Sequence, residues 1–209
     1  MDVDLIVPMK RPHEGKSRLR GALPDERHAG LVLALAFDTL TAVTSAAGVR
    51  RVLVVAADPA ALAELRELGV ELIAEPGPGG LNSALRHGES VLRRDDPAGV
   101  VGALQADLPA LRAEDLTAAL AEAAGRRAFT ADRQGTGTTL LLSAAGRALD
   151  PRFGVGSAAA HARSGAFPLT VPVLSLRSDV DTSDDLGHAC ALGVGKHTAA
   201  MLGEPCLPR

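Results

Sequence analysis

Short apolar runs of strand length alternate along this chain with longer Ala/Leu-rich stretches whose apolar residues recur at helical spacing. That alternation predicts a parallel sheet covered by helices. Leu5 to Met9 reads as a first strand, and Asp25 opens a long helix that turns Leu31, Leu35, Leu40 and Val43 toward a core. "RVLVVAA" at 51–57 is a second strand, Asp58-Pro59 starts a helix reaching Leu68, and "VELIA" at 70–74 is a third strand. The Pro/Gly loop at 75–80 then leads into a helix from Asn82 to Arg94. "GVVGALQADLP", residues 99–109, is a buried strand running out at Asp107, followed by a helix from Glu114 to Gly125. "AFTADR" and "TTLLL" read as strands flanking Gln134 to Gly137, a further strand is expected through Pro172 to Leu176, and "RSDVDTSDDL" opens the final helix.

The order predicts one α/β domain over residues 1–209, a doubly wound, mostly parallel sheet of Rossmann type flanked by helices, with a loosely anchored tail from Gly193. Ligands of such sheets bind beyond the carboxyl ends of the strands. Four segments fall at such ends: residues 10–20, the Pro/Gly loop, Asp107, and the stretch holding Asp179 and Asp181.

Composition narrows the function. At 209 residues and 46% hydrophobic, the chain has enough apolar material for one sizeable core. A formal net charge of −3 argues against a general nucleic-acid or membrane binder, whose footprint is broadly basic. Aromatic residues make up 2%, with no Trp or Tyr, so platforms for stacking single-stranded bases are nearly absent. The first residues lack a signal-peptide pattern, and the apolar run from Leu31 to Phe37 is too short for a bilayer, so a cytoplasmic protein is expected. Cys190 and Cys206 have no metal-ligand spacing and read as two inert thiols.

"VPMKRPHEGKSRL", residues 7–19, ends in the Gly-Lys-Ser of a phosphate-binding P-loop. Lys10 occupies the place of that motif's first Gly, and Gly21 and Pro24 break the helix that should follow. What remains is charge: Lys10, Arg11, Lys16, Arg18 and Arg20 stand against Glu14 alone. A solvated basic loop is the plain alternative.

Asp107 follows "VVGALQA", so its carboxylate emerges from a buried strand, where it needs a partner or a cation. Asp181 stands at the turn into the last helix and equally suits a helix cap. Two acidic strand ends facing a cationic loop suit magnesium and a polyphosphate. No G-x-S-x-G elbow occurs, and among the histidines His13, His87 and His161 lie near the loops without a nucleophile beside them. A transfer whose attacking group is itself a phosphate requires no protein nucleophile.

The ordered set "VPMKRPHEGKSRL", "GPGGLNSAL", "ADLPAL", "ADRQGTGTTL", "DPRFGVGSAAAHARSGA" and "DVDTSDDL", over residues 5–187, resembles the 2-phospho-L-lactate guanylyltransferases and the related phosphoenolpyruvate guanylyltransferases. The resemblance implies a Rossmann-like nucleotidyltransferase that moves GMP from GTP to the phosphate of a small phospho-carboxylic acid. It further implies that pyrophosphate is released, in biosynthesis of the deazaflavin coenzyme F-420, with a downstream transferase that would consume the product as a possible partner. It implies that Thr138, Gly154 and Ser157 hold the acceptor and that Asp107 and Asp181 bind Mg2+. Lys10, Lys16 and Arg18 would grip the triphosphate, Lys16 acting on the departing pyrophosphate, and Gly80, Asn82 and Ser83 would face the guanine or ribose. Ala106 replaces the usual Gly before Asp-Leu-Pro, and "GTGTT" leaves the choice between Thr138 and Thr139 open.

Two rivals stand beside this reading. One is a nucleotidyltransferase for a sugar phosphate or molybdopterin, whose usual Gly-rich opening is replaced here by Lys10 and Arg11. The other is a non-catalytic GTP-binding module. Sequence does not choose among phosphoenolpyruvate, 2-phospho-L-lactate and 3-phospho-D-glycerate as acceptor.

Overall fold

The structure, a computed structural model, describes residues 2–11, 19, 25–77, 79–203 and 206. Seven strands form one mixed sheet: β1 (Val3–Met9), β2 (Val49–Ala56), β3 (Glu71–Ala74), β4 (Val100–Leu104), β5 (Ala128–Ala131), β6 (Thr138–Leu142) and β7 (Phe167–Pro168), in the order β3-β2-β1-β4-β6-β5-β7. The pairs β1/β2, β1/β4, β2/β3 and β5/β7 are parallel; β6 runs antiparallel to both β4 and β5.

Among the described residues there are six α-helices: α1 (Asp25–Ser45), α2 (Gly80–Asp95), α3 (Ala113–Ala123), α4 (Ser157–Arg163), α5 (Ser183–Leu192) and α6 (Lys196–Leu202). The pleat explains how they are shared between the two faces. Val3, Leu5, Val7 and Met9 of β1 point to one side and pack with Leu40 and Val43 of α1 and Leu116 and Leu120 of α3. Ile6 points the other way, and with Leu53 and Val55 it meets Ala84, Leu85 and Leu92 of α2 and Ala158 of α4. Gly88 lets α2 press onto this second face, since a Cβ there would lie 2.8 Å from Ile6 Cγ2 and 3.0 Å from Val55 Cγ2.

Four features depart from the sequence reading. No strand forms through residues 172–176; a 3₁₀ turn spans Ser175–Arg177, and the edge strand is β7, where Leu169 N also reaches Phe129 O. The helix expected after Asp58-Pro59 is reduced to a 3₁₀ helix at Ala63–Leu68, closed by Gly69 in the left-handed region. The tail is anchored at least to Gly203: Asp38 of α1 accepts the backbone N–H groups of His197 and Thr198 at 3.0 and 2.8 Å, and Gly195 N reaches Pro109 O. Cys190 and Cys206 are joined in a disulfide with a Cα–Cα distance of 4.9 Å, because α6 folds back and returns residue 206 to α5. They are not two separate thiols.

The segment Arg27–Ser45 of α1 is long and apolar enough to cross a membrane by length and composition, more than the run from Leu31 to Phe37 indicates. Its Leu31, Leu35, Leu40 and Val43 are buried against the sheet and the C-terminal helices, which is how a core helix uses such residues.

Candidate active site

The order of the central strands creates the crevice. The chain leaves β1 toward β2 on one side and adds β4 on the other, so β1/β4 is the point where the connections diverge, and a crevice opens at the carboxyl ends. Lys10 and Arg11 follow directly on β1 and are exposed there. Asp107 lies three residues past β4 and is half-buried. Antiparallel pairing makes the third contribution: Leu104 lies opposite Leu140 and Gln105 N reaches Thr139 O at 3.0 Å, so the start of β6 sits beside the end of β4. Thr138 enters the site from the opposite chain direction.

Backbone and side-chain bonds tie the remaining loops to this edge. Val180 N donates to the carbonyl of Asp107 at 3.0 Å, which brings the exposed Asp181 within one residue of that link. Asp181 is not the helix cap; Thr182 and Asp185 form a capping box on α5. Asp185 also accepts from Arg133 at 2.9 Å, joining this helix start to the turn between β5 and β6. Its hydrogen bonds from Thr182 and Arg133 outweigh the opposing effect of burial, and its pKa lies below the usual carboxylate value. That turn is itself held by Asp132, whose carboxylate accepts the N–H groups of Thr136 and Gly137 at 2.8 and 2.7 Å.

The second half of the site is a polar cluster under the loop 151–156. Thr138 and Ser157 are buried, and their hydroxyls lie 3.1 Å apart. His161, one helical turn beyond Ser157, is fully buried; its Nδ1 is 2.9 Å from Thr138 Oγ1, and its Nε2 accepts from Arg152 N at 2.9 Å. Burial, followed by the field of Arg127, pushes the His161 pKa down to about 4, so the ring is neutral at pH 7. Gly154, at φ 140°, and Gly156, at φ 71°, adopt backbone conformations that favour glycine, and they carry the loop over Ser157 with Val155 fully exposed between them.

The start of α2 flanks this loop. Gly80 has φ 71°, and a Cβ on Gly79 would lie 2.5 Å from Cβ and Oγ of Ser83, so Gly79 lies tight against the helix start. Among the described residues no side chain caps α2, and its first turn has no acidic residue. The N–H groups at such an end favour an anion.

Of the residues singled out from the sequence, Lys10, Asp107, Asp181, Thr138, Gly154 and Ser157 therefore gather along one edge of the sheet. Lys16 and Arg18 lie outside the described residues. Asn82 bonds the backbone of Phe153 with both ends of its amide, Nδ2 donating to O and Oδ1 accepting from N, each at 2.9 Å. Its side chain ties α2 to the loop 151–156. Thr138 and not Thr139 joins the hydroxyl pair; Thr139 Oγ1 is directed to Thr130 O.

Sequence reasoning missed Asp132, Arg133 and Asp185 as organisers and gave His161 no role. His161 was discoverable, since its spacing from Ser157 puts both on one helix face. Among the described residues no cluster of three or more His, Cys, Asp or Glu forms a metal cage. Asp107 and Asp181 are carboxylates that lie at the crevice.

A twisted, mostly parallel sheet with an antiparallel β6 and the crevice beyond β1 and β4 is the architecture of the Rossmann-like nucleotidyltransferases. The structure overlays 4-diphosphocytidyl-2C-methyl-D-erythritol synthase with a TM-score of 0.61 at 15% identity, covering 91% of this chain and 98% of that one, which establishes the shared fold. Within that class the chain belongs to the family described as "Guanylyl transferase CofC like", whose model matches residues 3–204. It is 49% identical to the phosphoenolpyruvate guanylyltransferase of Streptomyces scabiei, over 100% of this chain and 99% of its relative. It is 50% identical to the enzyme of the same name from Geodermatophilus obscurus, over 98% and 95%.

Proposed function

We propose that the protein is a cytoplasmic guanylyltransferase that transfers GMP from GTP to the phosphate of a small phospho-carboxylic acid, with phosphoenolpyruvate as the first acceptor to test. The observation that carries this reading is the 3.0 Å bond from Val180 N to Asp107 O at the edge where Thr138 also emerges. It ties two acidic segments together at the sheet edge where β1 runs out into Lys10. The choice of phosphoenolpyruvate rests on the names of the relatives.

In this reading Thr138, Ser157 and the backbone at Gly154 orient the acceptor, and its phosphate oxygen attacks the α-phosphorus of GTP. A P–O bond forms there as the bond to the bridging oxygen of the β-phosphate breaks, and pyrophosphate leaves with the electron pair. Lys10, with Lys16 and Arg18 of the adjoining segment, neutralises the leaving group. The start of α2 supplies N–H groups and a positive helix end to the nucleotide. Mg2+ fits the donor set, because it takes one or two carboxylates and leaves its other positions to water and phosphate oxygens. When bound by Asp107 and Asp181, it would neutralise charge on the triphosphate. The ring of His161 is neutral and engaged at both nitrogens, so it is not the attacking group.

The test is pyrophosphate release from GTP with phosphoenolpyruvate, 2-phospho-L-lactate or 3-phospho-D-glycerate, with the downstream transferase present to consume the product. Asp107→Asn is expected to lower turnover by at least ~100-fold, as loss of charge stabilisation at a phosphoryl centre does, with an unchanged circular dichroism spectrum. Near wild-type turnover in that variant would refute the metal role, and GDP plus phosphate as products would favour a GTP-binding module.

A further inference from the structure

We infer that His161 is a positioning residue: held as the Nδ1–H tautomer, it keeps one hydroxyl hydrogen of the Thr138/Ser157 pair available to the acceptor anion. This rests on the acceptor assignment proposed above and adds a proton arrangement to it. Arg152 N lies 2.9 Å from Nε2, and a backbone N–H can only donate. Nε2 must therefore accept, and a neutral ring then carries its hydrogen on Nδ1. Nδ1 lies 2.9 Å from Thr138 Oγ1, so Thr138 accepts from the ring.

The consequence follows from counting hydrogens. Thr138 and Ser157 own one hydroxyl hydrogen each, and one of them bridges the two oxygens at 3.1 Å. With Nδ1 a donor, the ring consumes neither, and one hydrogen remains to be donated to a carboxylate or phosphate oxygen. In the opposite tautomer Nδ1 would accept the second hydrogen. The pair would then offer an anion only lone pairs, which repel it.

The surroundings maintain the arrangement. The ring packs edge-on to Phe153, with centroids 5.1 Å apart, and Asn82 clamps the backbone of Phe153, so Arg152 N is held in place by its neighbour. Arg127 donates to the carbonyls of Leu149, Asp150 and Ser164, which fixes the strand of chain entering this loop and the end of α4. Arg127, Asp150 and Arg152 are the charged groups whose fields act on the ring.

Two readouts test the inference. In protein labelled with 15N-histidine, the His161 resonances, assigned by their loss in His161→Gln, should show at pH 7 a protonated Nδ1 and an unprotonated Nε2. In steady-state assays with GTP and phosphoenolpyruvate, His161→Leu should raise KM for the phospho-acid at least ~10-fold, the scale of one lost hydrogen bond to a charged group, while KM for GTP changes less than ~3-fold. His161→Gln should recover most of this loss, since a glutamine amide offers one acceptor and one donor at about the separation of the ring nitrogens. An Nε2–H ring or an imidazolium at pH 7 overturns the inference, and so does an unchanged phospho-acid KM, an equal rise in both KM values, or a Gln variant no better than Leu. A wild-type protein that guanylylates none of the phospho-acids instead overturns the proposed function, and with it the acceptor that this arrangement would serve.

Discussion

Acidification should destabilise the fold through His161 before any carboxylate titrates. The side chain is fully buried and its pKa is pushed from 6.5 down to about 4 by burial, so between those values the unfolded chain binds a proton that the folded protein refuses. Stability then rises with pH across this window and falls as the solution is acidified through it. Integrating the linkage for that shift gives a loss of about 2 kcal/mol between pH 7 and pH 5, and about 3 kcal/mol by pH 4. Burial decides the size, because a ring with no access to water has no screening to reduce the penalty. The carboxylates whose pKa values are lowered, among them Asp185 and Glu122, act in the same direction but at lower pH. They contribute stability above their ordinary values near 4 and lose it below, so pH 5 to 6.5 isolates the histidine. Urea unfolding at pH 7 and pH 5, compared between wild type and His161→Gln, measures the difference. The wild type should lose about 2 kcal/mol more than the variant over this interval. Equal losses, with equal m-values, would mean that His161 is protonated in the fold and that the argument from Arg152 N is wrong.

Two further outcomes follow from contacts at the site and in the core. Asn82→Ala removes both bonds to Phe153 and should cost about 1–3 kcal/mol in chemical denaturation, while raising KM for the phospho-acid more than KM for GTP; an effect on GTP alone would assign Asn82 to the nucleotide. Gly88→Ala gains up to about 1 kcal/mol of helix propensity but forces a methyl against Ile6 and Val55 at a cost of about 1–3 kcal/mol. The net change should be a lower unfolding midpoint, and a stabilised protein would show that α2 is not pressed on the sheet as described.

Much of this protein was legible in the order of its residues. The alternation of apolar runs with helical stretches locates β1, β2, β3 and α2 to within a few positions, because strands buried on both faces and helices with one buried face leave local, periodic traces. The acidic and hydroxyl candidates were recognisable through the ordered motifs, each of which ends a strand or opens a helix. The fold class needed nothing beyond that pattern.

What required the tertiary structure was every assignment that depends on pairing between distant segments. That β6 runs antiparallel, and so delivers Thr138 beside the end of β4, is decided by sheet register, which no local period encodes. That residues 167–168 and not 172–176 make the edge strand, that Cys190 meets Cys206, and that Asp38 holds the start of α6 are likewise meetings of segments far apart in the chain. Asn82 and His161 show the same division in the site. Their identities were visible from the start, but a side-chain amide and an imidazole acquire their roles from the groups opposite them, and those groups are brought there only when the chain folds.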